Sequence, residues 1–116
     1  MKVLVVEDDD DVRDIVVEAL SNSGFEVLEA DTGELALERC QRDAAEVLFT
    51  DIRLRGTLDG WDVAERCREA RPDIPVVYAI GVTSPGMRPV PGSRLLRKPY
   101  LPSQVVTAIH ELVGPG

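Results

Sequence analysis

The chain has almost no lysine, only Lys2 and Lys98, and few aromatic residues: 4% of the total, with a single tryptophan, Trp61. Histidine occurs once, at His110, and repeats no ligand spacing with Cys40 or Cys67. A histidine-based metal centre therefore has no support, and His110 reads as an exposed helix residue rather than a phosphorylated one. The two cysteines fall in separate predicted helices without metal-ligand spacing, which favours reduced thiols packed as small hydrophobes. Basic charge is scarce as well: 13 Lys and Arg against 21 Asp and Glu give a net charge of -8. Such a chain repels duplex DNA, so direct nucleic-acid binding by phosphate neutralisation is not expected. Arg66, Arg68 and Arg71 are interleaved with Glu65 and Glu69 and read as a solvated helix face. No stretch approaches the roughly 18 consecutive apolar residues of a membrane span, and no charged start leads into a long apolar run of the secretory kind. The expectation is a cytoplasmic protein without membrane contact.

What is present is ordinary globular material. With 44% apolar and 29% charged residues in 116, the chain is long enough to bury a core without disulfides or a structural metal. One domain covering residues 1–116 is expected.

Five short apolar runs alternate with amphipathic stretches. Lys2 to Val6 is a continuous β-favouring run, as in a strand buried on both faces. Val12, Ile15, Val16, Ala19 and Leu20 follow at helical spacing, with Asp9 or Asp10 as cap and Gly24 as stop. Phe25 to Ala30 is a second strand, and Asp31-Thr32-Gly33-Glu34 resembles a capping box opening a helix that runs to about Arg42. The third strand, Glu46 to Thr50, stops on Asp51. After the turn chemistry of Arg55 to Gly60, Asp59 caps a helix presenting Val63, Ala64, Cys67 and Ala70. Val76 to Ile80 and Arg94 to Arg97 are the fourth and fifth strands, and Pro102 to Val113 is the last helix. Between those two strands Gly81, Gly86, Gly92, Pro85, Pro89 and Pro91 predict an irregular loop from Gly81 to Ser93.

Alternating strands and helices with short connections imply right-handed βαβ units: an α/β, doubly wound, five-stranded parallel sheet in a three-layer sandwich. Ligand sites in such sheets lie beyond the carboxyl ends of the strands. Glu7, Asp8, Asp51 and Lys98 all stand at such ends. Each close pair of carboxylates costs about 4 kcal/mol at 4 Å for an effective dielectric near 20, and Lys98 alone carries too little charge to compensate. Either a carboxyl keeps its proton or a hard divalent cation joins the site, and carboxylate oxygens with water are what Mg²⁺ accepts. A nucleotide or flavin phosphate would need a glycine-rich turn after the first strand, where this chain has Glu7 and four aspartates.

The order Val-Leu-Val-Val-Glu7-Asp8, Asp51 ending the third strand, Asp59-Gly60 before the third helix, Pro75-Val-Val in the fourth strand and Lys98-Pro99 after the fifth resembles the receiver domain of two-component response regulators. The match spans nearly the whole chain. It implies a flavodoxin-like strand order of 2-1-3-4-5 and a phosphoryl group taken onto Asp51 from a sensor histidine kinase or histidine phosphotransfer protein. It also implies Mg²⁺ held by Asp8, Asp51, the backbone carbonyl of Arg53 and, through water, Glu7. Lys98 would pair with a phosphoryl oxygen, and the Lys98-Pro99 bond would be cis. Such a domain promotes its own phosphorylation and dephosphorylation and turns over no external substrate. Its output is a changed contact with a downstream protein, from a monomer or weak homodimer.

Three positions depart from the family. Ile80 stands where a Thr or Ser hydroxyl is usual, Leu95 where an aromatic is usual, and the Gly81 to Ser93 loop where most receivers have a helix. Thr83 or Ser84 is a candidate replacement for the hydroxyl. With Tyr78-Ala79 and the Arg-Lys-Pro-Tyr ending, these features resemble an atypical receiver subgroup of alphaproteobacteria. Two rival readings follow: a non-phosphorylated receiver-like interaction module, suggested by the missing switch residues, and a metal-dependent phosphatase. The second wants an acid two residues beyond Asp51, where Arg53 stands. Trp61 and Tyr100 read as packing residues.

Overall fold

A computed structural model describes residues 1–81 and 86–114. Thr83 and Ser84 lie outside the described residues. The elements are β1 (Lys2–Val6), α1 (Asp10–Asn22), β2 (Glu26–Ala30), α2 (Gly33–Arg42), β3 (Val47–Asp51), α3 (Gly60–Ala70), β4 (Val76–Ile80), β5 (Arg94–Arg97) and α4 (Pro102–Val113). All strand pairs are parallel, in the order β2-β1-β3-β4-β5, as expected for a doubly wound sheet. The second strand begins one residue later than its apolar pattern suggested.

The alternation of side chains along each strand divides the core into two layers. Leu4, Val6, Leu48, Val76, Tyr78 and Ile80 face one way and meet Ala36 and Cys40 of α2 and Trp61, Val63, Ala64 and Cys67 of α3. Val3, Val5, Val47, Phe49, Val77 and Ala79 face the other way, against Val16 and Leu20 of α1 and Val105, Ala108 and Ile109 of α4. β1, β3 and β4 are therefore covered on both faces, which explains why their sequences are nearly unbroken apolar runs.

The helix starts rest on their caps. Asp9 accepts the N–H groups of Asp11 and Val12, and Thr32 Oγ1 accepts that of Leu35 at 3.1 Å. At α3 a reciprocal box forms: Asp59 accepts Asp62 N–H at 2.8 Å and Asp62 accepts Asp59 N–H at 3.0 Å. Each such cap stabilises its helix by about 1 kcal/mol. Pro102 sits in the first turn of α4, where its missing N–H is no loss. In the segment between β4 and β5, residues 86–93 contain no helix. Val90 instead turns inward, 8% exposed, and its N–H donates to the Tyr78 hydroxyl at 3.1 Å.

Candidate functional site

The carboxyl ends of β1, β3 and β5 meet at one edge of the sheet. Glu7 continues the pairing of β1 with β2, its N–H donating to Ala30 O at 3.0 Å. Arg13, one turn into α1, grips the same residue by donating to Glu7 O at 2.7 Å, while its other nitrogens reach Asp10 at 2.7 Å and Glu29 at 3.2 Å. Across the sheet, Lys98 N–H donates to Ile80 O at 2.8 Å, so the chain beyond β5 stays in line with β4. The Lys98-Pro99 peptide that follows is cis.

These supports bring Glu7, Asp8 and Asp51 together, one carboxylate oxygen from each lying within 4.8 Å of the others. Glu7 and Asp51 are each 6% exposed. Lys98 Nζ stands 2.8 Å from Asp51 Oδ1, and the N–H of Ile52 donates to that oxygen, also at 2.8 Å. The Asp51 carboxylate is therefore oriented by a backbone donor and an ammonium together. Beyond β3, Gly60 N–H donates to Ile52 O at 2.7 Å, and a Cβ at Gly60 would come within 2.1 Å of Asp51 O. The start of α3 thus lies directly against the end of the strand that carries the acid.

Electrostatically the site is short of positive charge. The Glu7 carboxyl is pushed up to about 8, first by burial, then by its hydrogen bond with Asp51 and the Asp51 charge, with Lys98 opposing. Near neutral pH Glu7 therefore holds a proton for much of the time when only Lys98 is at hand. A cluster of hard oxygen donors that must protonate one of its own members is a fitting host for a divalent cation such as Mg²⁺. A cleft of about 490 Å³ lined by Glu7, Asp9, Val12, Lys98, Pro99 and Tyr100 opens at this edge. The Tyr100 ring packs edge-on against Phe49 at 5.9 Å, the packing role expected for it. Its phenol is also raised, by burial and then by the charges of Glu7 and Asp51.

The remaining expected positions fall as follows. Arg53 is exposed in the bend after β3, two residues past Asp51, and borders a second cleft with Ile52, Leu58, Trp61, Gly86 and Arg88. Ile80 ends β4 only 4% exposed, and Leu95 sits half-buried opposite Tyr78. Trp61 is a packing residue, its ring 4.6 Å from that of Tyr78, and His110 is exposed. Sequence reasoning did not single out Arg13, whose grip on Glu7 O crosses a turn, or Arg88. The Arg88 guanidinium reaches Asp59 at 3.5 Å, Asp62 at 2.8 Å and Glu65 at 3.6 Å. It fastens the segment before β5 to the start of α3.

Known proteins resemble this chain in sequence and in fold. A model of the response regulator receiver domain family matches residues 3–88. The response regulator receiver protein CpdR of Brucella abortus is 30% identical over 116 residues, covering 97% of this chain and 96% of its own. The sensor kinase CckA of the same organism is 32% identical over 117 residues, which cover 96% of this chain but 12% of the kinase. Among solved structures, a response regulator receiver protein from Sinorhizobium medicae superposes with a TM-score of 0.87 at 31% identity, covering 97% of this chain and 94% of that one. The strand order, the acidic strand ends and this similarity along the chain lead to one assignment: the chain belongs to the response regulator receiver domain family of two-component signalling.

Proposed function

We propose that Asp51 accepts a phosphoryl group from a phosphohistidine on a sensor histidine kinase or histidine phosphotransfer protein, and that the domain passes the signal on through changed contacts with a downstream protein. The observation that carries this reading is the Lys98 ammonium 2.8 Å from a buried Asp51 carboxylate that Glu7 and Asp8 crowd. A carboxylate oxygen of Asp51 attacks phosphorus, the bond from phosphorus to the donor imidazole breaks, and the imidazole leaves with the electron pair. Ile52 N–H holds the carboxylate in its orientation throughout. Lys98 is free to transfer its pairing from Asp51 to a phosphoryl oxygen, a shift open to a flexible ammonium.

Asp8, Asp51, Glu7 through water and the Arg53 backbone carbonyl would hold Mg²⁺. When bound, the cation neutralises charge that spreads over the transferring oxygens. The domain acts on its own side chain and is not a turnover enzyme. It works in the cytoplasm as a single domain over residues 1–116, without direct nucleic-acid or membrane contact; among the described residues no helix is long and apolar enough to span a bilayer. Its atypical character lies in Ile80 and Leu95 at the switch positions and in the non-helical run 86–93.

Those two apolar residues also favour a second reading, an interaction module that is never phosphorylated. Mass measurement after acetyl phosphate or a phosphohistidine donor with Mg²⁺ separates the two. One phosphoryl group should add to the parent protein and none to Asp51→Asn. If the parent stays unmodified, the second reading replaces the first.

A further inference from the structure

Cys40 and Cys67 lie far apart in the chain and take no part in the acidic site, yet both are buried in one core cluster. α2 and α3 pack side by side on the same face of the sheet, and the two thiols meet in the core between them, 2% and 1% exposed. Each thiol is within hydrogen-bond reach of the other. Cys40 also borders a cleft of about 530 Å³ at the sheet edge opposite Asp51, together with Lys2, Gln41, Glu46, Ala70 and Arg71. Arg71 closes α3, its N–H donating to Cys67 O at 2.8 Å while its guanidinium donates to Ala45 O. One thiol therefore borders a cleft of small-molecule size, and the other waits behind it.

We propose that this pair is a modification site: hydrogen peroxide entering the cleft converts Cys40 and Cys67 to an intramolecular disulfide that ties α2 to α3. Contact with Cys67 and the Arg71 charge draw the Cys40 thiol down against its burial, whereas Cys67 is held up by Cys40 and by burial. The asymmetry sets the order of steps. The Cys40 thiolate attacks a peroxide oxygen, the O–O bond breaks, and hydroxide leaves to give a sulfenic acid. The Cys67 sulfur then attacks the Cys40 sulfur: an S–S bond forms, the S–O bond breaks, and the departing hydroxide takes the Cys67 proton as water. Two thiols lose two electrons, and one peroxide becomes two waters. The ring so closed contains β3, Asp51 and the turn into α3.

The inference is independent of whether Asp51 is phosphorylated. Its test uses the reduced chain of 116 residues, treated with hydrogen peroxide and then alkylated under denaturing conditions. The expected product is a monomer lighter by about 2 Da, the mass of two hydrogens, that resists alkylation until dithiothreitol is added. An unreduced digest should yield one peptide joining Cys40 to Cys67. Full alkylation of both residues after peroxide, sulfinic acid on either, or a disulfide-linked dimer overturns the proposal. Cys67→Ser should stop at a Cys40 sulfenic acid that dimedone traps, and a dimedone adduct found instead on Cys67 in Cys40→Ser alone overturns the assigned order. If neither variant folds, the peptide map of the parent chain decides.

Discussion

The hydroxyl of Tyr78 accepts the backbone N–H of Val90 at 3.1 Å, joining the middle of β4 to the non-helical segment before β5 inside the core. Removing that oxygen in Tyr78→Phe leaves a buried N–H without its acceptor, at a cost of about 1–3 kcal/mol. Urea unfolding should register the loss. Amide exchange at Val90 should accelerate more than at the neighbouring residues of β4.

Arg88 is the second attachment of the same segment, through Asp59, Asp62 and Glu65. The guanidinium is exposed, so Arg88→Ala is expected to leave global stability nearly unchanged. Hydrogen exchange over residues 86–93 should rise while that of β4 and β5 stays put. A phosphoryl analogue added to the parent protein should change exchange in the same segment if this is the surface that reports phosphorylation.

Glu7 makes the metal-free protein sensitive to pH. Its folded value, about 8, stands above the ordinary 4.5, so between those two values the folded state binds more protons than the unfolded one. The contribution of Glu7 to stability is whole below pH 4.5 and disappears as pH climbs through 8. In chelator, Glu7→Gln should flatten the fall in thermal stability across that window. An unchanged slope would mean that Glu7 is not the group responsible.

Ile80 fills the end of β4 with hydrocarbon at 4% exposure. In Ile80→Thr a hydroxyl replaces an ethyl arm, with an expected destabilisation of about 1–2 kcal/mol. If a hydroxyl there can bond the phosphoryl group, the phosphorylated form should live longer or respond more strongly than the parent. Decay of the phosphorylated species followed by mass is the measurement, and equal lifetimes would retire the idea.

The sheet was readable because β1, β3 and β4 are covered on both faces, so their β-branched runs stand out against the helical periods around them. The convergence of the candidate site residues was readable for a topological reason: parallel strands deliver Glu7, Asp8, Asp51 and Lys98 to one edge whatever the details of packing. Contacts that depend on side-chain direction across separate elements were not readable. Nothing in the spacing of Cys40 and Cys67 announces that α2 and α3 turn them toward each other, and Arg13 looks like any helix-surface arginine until its reach to Glu7 O is seen. The same holds for Tyr78, where a strand's apolar pattern conceals a hydroxyl that a later loop requires.

Gly60 offers a practical landmark. Because its α-carbon leaves no room for even a methyl group beside Asp51 O, a saturation library at position 60 should return glycine alone among folded clones, whatever property the screen selects. Sequencing that position therefore counts survivors of folding, and it supplies an internal baseline against which enrichment at Asp51, Ile80 or Lys98 can be compared.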